Sequence, residues 1–159
     1  MTASLEPGVA NPQMHSLRSF WTLILPWPEA SLILYVLSSI AVVLIASRAW
    51  HTTGPLGLRF STLVLGAVLV NPHLFIYDLL VLAPVFLLVM EWTVQHPAGP
   101  WSEGLRPLLY LSFLLPLFGP LAIWTHLQLS VVVFTGLLVV LASILREPSL
   151  LVSLRESKG

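Results

Sequence analysis

The stretch Phe60–Met90, FSTLVLGAVLVNPHLFIYDLLVLAPVFLLVM, decides how this chain folds. It is apolar along most of its length. Its middle, Asn71-Pro72-His73-Leu74-Phe75-Ile76-Tyr77-Asp78, nevertheless carries a histidine, a tyrosine and an aspartate. As a single helix, at 1.5 Å per residue, it would run about 45 Å. A bilayer's hydrocarbon core is only about 30 Å thick. Pro72 disfavours helical geometry at Asn71 and removes a backbone donor. The stretch therefore reads as two helices that meet at Asn71-Pro72. Ionisable groups inside apolar segments are costly, and they are kept where they face water, a partner or a substrate. The break is where function is to be sought.

The rest of the composition points to the same setting. The chain has 159 residues, 57% hydrophobic and 9% charged, with a mean hydropathy of +0.91. Soluble domains carry about 25% charged residues, so this one lacks the polar surface to face water all round. The composition implies a polytopic membrane protein. Net charge is zero and no basic cluster or glycine-rich phosphate loop occurs, so no nucleic-acid partner is implied. With no cysteine there are no disulfides, thiolate metal sites or cysteine nucleophiles. Near the N-terminus, Arg18 precedes a short apolar run, Phe20 to Leu25, which Pro26 and Pro28 stop without a small-residue cleavage site. Residues 1–28 read as an extracytoplasmic tail and interfacial segment, with Trp21 and Trp27 suited to a membrane–water boundary.

The expected fold is all-α, a transmembrane helical bundle of about five spans, 30–47, 59–71, 74–91, 107–125 and 127–145, within a bundle over 29–146. Residues 147–159 form a cytoplasmic tail, and 96–104, rich in turn formers, a connector. Breaking the helix at Pro72 puts Arg48, Arg59, Arg106, Arg146, Arg155 and Lys158 on one side and only Arg18 on the other. The positive-inside rule then sets the N-terminus outside and the C-terminus in the cytoplasm. No internal repeat and no second domain are visible.

On this topology His15, Arg18, His73, Tyr77 and Asp78 share the outer face. His73, near the start of the third span, can donate to an anion such as a phosphate where helix N–H groups are unpaired. Tyr77, four residues on, shares its face, and Asp78 points elsewhere. Asp78 can bind sugar hydroxyls, pair with an arginine or take a proton. The plainer alternative is that Asn71, His73 and Asp78 satisfy backbone groups at the helix break. His15 and Arg18 can meet a lipid phosphate, or are an ordinary juxtamembrane basic pair. No pair of histidines has the i, i+4 spacing of a metal site, and no nucleophile–base arrangement is legible. No cofactor is called for, and the use of a divalent cation is left open.

Asn71-Pro72-His73, Tyr77-Asp78 and the following Leu79 to Pro84 resemble the Ser/Asn-Pro-His-x-x-x-Tyr-Asp-x-x-x-Leu-x-x-Pro region of glycosyltransferase family 87. Met14-His15-Ser16-Leu17-Arg18 resembles that family's upstream Met-Pro-Ser-Leu-Arg segment, with His15 in place of the proline. The resemblance covers about residues 10–146 and the C-terminal half of the family pattern. It implies a GT-C type enzyme of the bacterial plasma membrane. Such an enzyme transfers a hexosyl group, typically mannosyl, from a polyprenyl-phosphate sugar to a lipid-linked or glycan acceptor on the outer face, with inversion. His15, Arg18, His73, Tyr77 and Asp78 would bind the donor. The family's acidic outer loop has no match here. The resemblance therefore places the general base in a missing N-terminal half or membrane partner, without which the chain is inactive. The residues alone leave two alternatives open: a non-catalytic membrane subunit or scaffold, and a small transporter component.

Overall fold

The computed structural model describes residues 16–72, 80–97, 100–115 and 128–147, and among them the only regular structure is helix. Helix α1 spans Leu17–Ile24, α2 Pro28–Trp50, α3 Leu56–Val70, α4 Ala83–Gln95, α5 Pro100–Leu114 and α6 Leu129–Ile144. Local chemistry accounts for the ends. The Ser16 hydroxyl caps α1 by accepting from Ser19 N, which satisfies one of the orphan N–H groups of the first turn. Helix α2 starts at Pro28, where the missing N–H costs nothing, with Glu29 in its first turn and Arg48 in its last. Both charges suit the helix dipole.

The long apolar stretch is broken as expected. Helix α3 stops at Val70, and Asn71 is extended (φ −64°, ψ 117°), as a residue before proline should be. A single 3₁₀ turn over residues 80–82 leads into α4. The expected third span began at 74, and residues 73–79 lie outside the described residues. The connector expected over 96–104 is corrected: α5 begins at Pro100, with proline in its first turn and Glu103 beside the positive helix end. Pro107 sits inside α5, which continues to Leu114. The remainder of the expected fourth span, 116–127, with Pro116, Pro120 and His126, lies outside the described residues, as does the tail from 148.

Packing is antiparallel. Helix α2 lies against α1 and α3, α3 also against α4 and α6, and α5 against α6. Helix α6 is the inner helix, with Val131, Phe134, Leu137, Leu138 and Leu141 buried. Small residues let α2 and α3 approach closely: a Cβ on Gly66 would lie 3.1 Å from Ala46 Cβ. Such contacts bring helices together in apolar surroundings. Side-chain hydroxyls turn back onto their own helices. Ser61, Thr62, Thr93 and Thr135 each donate to the carbonyl four residues earlier at 2.7–2.8 Å. No hydroxyl in this group needs water.

The bundle thus has two ends. Phe86 and Phe113, with ring centroids 6.3 Å apart, join the start of α4 to the end of α5. Opposite, Trp101 Nε1 donates to Glu147 Oε2 at 2.6 Å and ties the start of α5 to the residues after α6. Arg48, Arg59 and Arg146 lie at this second end, and Arg106 about 9 Å along α5 from it. Arg18 lies at the first.

One described helix, α2, is long and apolar enough to cross a membrane, and only 22% of its most apolar stretch is buried. Leu32, Ile33, Val36, Leu37, Ile40, Val43 and Leu44 all face outward from it. Helices α3, α4 and α6 are apolar but shorter.

Gly66→Val should force α2 and α3 apart and cost about 1–3 kcal/mol. Gly104→Ala, whose Cβ meets nothing within 4 Å, should be neutral or stabilise α5 by up to about 1 kcal/mol. Thermal unfolding of the two variants in detergent, followed by circular dichroism, checks the contrast.

Candidate functional site

The first end of the bundle is assembled around backbone carbonyls at and just past the end of α3. A helix ends with four carbonyls lacking intrahelical partners, and burial without partners is costly. Here two side chains from upstream supply them. The Tyr35 hydroxyl of α2 donates to Val70 O at 2.8 Å. The Ser16 hydroxyl, which caps α1, donates to Pro72 O at 3.4 Å, a longer contact. Ser16 is fully buried and Tyr35 half-buried. Ser16 thus serves both motifs: its oxygen accepts from Ser19 N while its proton points to Pro72. The segment Ser16-Leu17-Arg18 and the break at Asn71-Pro72 meet across 56 residues of sequence.

Of the five residues expected to bind the donor, Arg18 is the one among the described residues. It is exposed in the first turn of α1 and borders a cavity of about 600 Å³, with Thr22, Pro26, Pro28 and Ser31. His15, His73, Tyr77 and Asp78 lie outside the described residues. Asn71 and Pro72 border a different recess, an apolar groove between α2 and α3 of about 590 Å³, with Tyr35 at the same end. The structure therefore brings the two motifs together through Ser16 and Pro72 but gives Arg18 and Asn71 separate cavities.

Trp21, read as a boundary residue, is tied inward as well: its Nε1 donates to Ser38 Oγ at 3.1 Å. This bond holds α1 to α2. Trp27, read the same way, is 67% exposed at the start of α2. His96 has a structural partner, stacking on Trp92 with centroids 4.8 Å apart. Among the described residues no group of three His, Cys, Asp or Glu side chains is placed to hold a metal ion. Ser16 and Tyr35 are the site-building residues that the sequence reading did not single out. The signal for Ser16 was an N-cap serine ahead of an apolar run. Nothing in the sequence marked Tyr35.

No family model, no curated protein and no solved structure matches this chain.

Tyr35→Phe removes one donor and leaves Val70 O unsatisfied beside the break. The expected cost is about 1 kcal/mol, with faster amide hydrogen exchange confined to the last turn of α3. Unchanged exchange there would show that the tyrosine does not hold this helix end.

Proposed function

We propose that the chain is a membrane-embedded five-span bundle, N-terminus outside and C-terminus in the cytoplasm of a bacterium. It forms the C-terminal portion of a GT-C type glycosyltransferase that binds a polyprenyl-phosphate sugar at its outer end. The observation that carries this reading is the Ser16–Pro72 contact. It joins, in space, the two motifs whose residues suit a phosphate and a sugar. The outward apolar face of α2 and the gathering of arginines at the opposite end support the membrane setting and its polarity.

The chemistry follows from the residue types. An acceptor hydroxyl attacks the anomeric carbon, the bond to the phosphate oxygen breaks, and the electron pair leaves with the polyprenyl phosphate. The acceptor's proton goes to a base that this reading places outside the chain's described residues. The part of this chain is to hold the leaving group. Arg18, with His15 and His73, provides charged or polar donors to the phosphate as its negative charge grows. Tyr77 and Asp78 provide hydrogen bonds to the sugar.

The exposed α2 face also fits a second reading, a non-catalytic subunit whose α2 packs against a partner's helices. Photo-crosslinking with a polyprenyl-phosphate mannose analogue, on the chain reconstituted in lipid nanodiscs, separates the two. The glycosyltransferase reading predicts labelling that Arg18→Gln weakens about tenfold, the loss of one charged hydrogen bond. His73→Ala and Asp78→Ala should abolish it. Labelling unchanged in all three folded variants would leave the subunit.

A further inference from the structure

The groove between α2 and α3 ends at Trp50, beside an arginine that the glycosyl-transfer reading does not use. Its walls are two helical stripes. Tyr35, Val43, Ala46, Ser47 and Trp50 come from α2, and Leu63, Gly66, Ala67, Val70 and Asn71 from α3. Val43, Ala46, Ser47 and Trp50, and Leu63, Gly66, Ala67 and Val70, recur at three- and four-residue intervals, so each set lines one face of its helix, and Tyr35 lies eight residues before Val43 on the same face. From Tyr35 to Trp50 the groove runs about 22 Å along α2. This exceeds half of a hydrocarbon core of about 30 Å. Its floor is made of the buried small residues Ala46 and Gly66, and its rims include Val43 of α2 and Ala67 of α3, which face outward.

Arg59 continues the α3 stripe by one step, four residues before Leu63. Its guanidinium lies 4.8 Å from the centre of the Trp50 ring that closes the groove. Its Nε is buried and has no hydrogen-bond partner among the described residues. Arg59 also sits in the first turn of α3, which Pro55 leaves without a side-chain cap. A cation there adds to the positive end of the helix dipole instead of opposing it, an arrangement an anion would relieve. Arg48, exposed in the last turn of α2, adds a second positive charge at the same end. Among the described residues no charged side chain lines the groove itself, and Arg59 and Arg48 flank its Trp50 end.

From this polarity we propose that the α2–α3 groove is a binding site for an anionic phospholipid. One acyl chain lies between the helices, and the phosphate sits on Arg59 beside Trp50. The inference rests on the membrane setting proposed above but not on glycosyl transfer. The lipid belongs to the leaflet at the arginine-rich end, opposite the two motifs. Trp50 shields the guanidinium from water on one side, which strengthens its attraction for a phosphate.

Native mass spectrometry of the full chain, released from detergent after titration with phosphatidylglycerol or phosphatidylcholine, tests this. Retained phosphatidylglycerol in preference to phosphatidylcholine is expected. Arg59→Gln should weaken it about tenfold, the loss of one charged hydrogen bond. Arg59→Lys should restore much of the binding. Ala67→Trp, which fills the groove and leaves Arg59 in place, should also remove it, so the result does not hang on one variant's folding. Equal retention of both lipids, or undiminished phosphatidylglycerol on folded Arg59→Gln, would overturn the proposal. His73→Ala should leave phosphatidylglycerol binding intact, so this site and the outer one fail separately.

Discussion

Everything at the first end of the bundle depends on how the backbone is satisfied where α3 stops. Pro72 forbids the helix from continuing through Asn71, and the freed carbonyls need donors in apolar surroundings. Tyr35 and Ser16 provide them at Val70 and Pro72. Those two bonds do more than close a helix. They fix the start of α2 and the cap of α1 against the break, and so place the Ser16-Leu17-Arg18 segment beside Asn71-Pro72. The same proline that ends a helix thereby creates the meeting point of the two motifs.

The remaining helices show how a chain with few charges solves its polar problem. Ser61, Thr62, Thr93 and Thr135 bond back to the carbonyl one turn earlier, and small residues on α2 and α3 allow backbones to approach. The inner helix α6 buries eight of its side chains, whereas α2 turns seven large apolar side chains outward. A helix of that kind needs an apolar neighbour outside the chain. The two ends differ in kind: arginines and the Trp101–Glu147 bond hold one, tyrosine and serine bonds to bare carbonyls hold the other.

Much of the helix pattern was legible because it follows from strong local rules. The break at Asn71-Pro72, the start of α2 near Pro28 and the end of α6 near Arg146 all rest on proline, charge or the length of an apolar run. The start of α5 was misplaced because Pro97, Gly99 and Pro100 read as turn formers, whereas Pro100 opens a helix and Gly104 is tolerated within it. The role of Tyr35 was invisible: a tyrosine in an apolar helix has no local signature for a partner 35 residues away. The α2–α3 groove was hidden for the same reason, since it is made by the crossing of two helices. Ser16 stood only inside the quoted Met14–Arg18 segment, and its bond to Pro72 belongs to tertiary structure alone.

The central claim is that the end of the bundle built on the Pro72 break faces the outer aqueous side of a membrane, with the arginine-rich end in the cytoplasm. The chain has no native cysteine, so single cysteines at positions 73 and 100 can be probed in intact cells with a membrane-impermeant maleimide. The account predicts that position 73 is labelled from outside and that position 100 is labelled only after the cells are opened. Labelling of position 100 but not 73 from outside would contradict it.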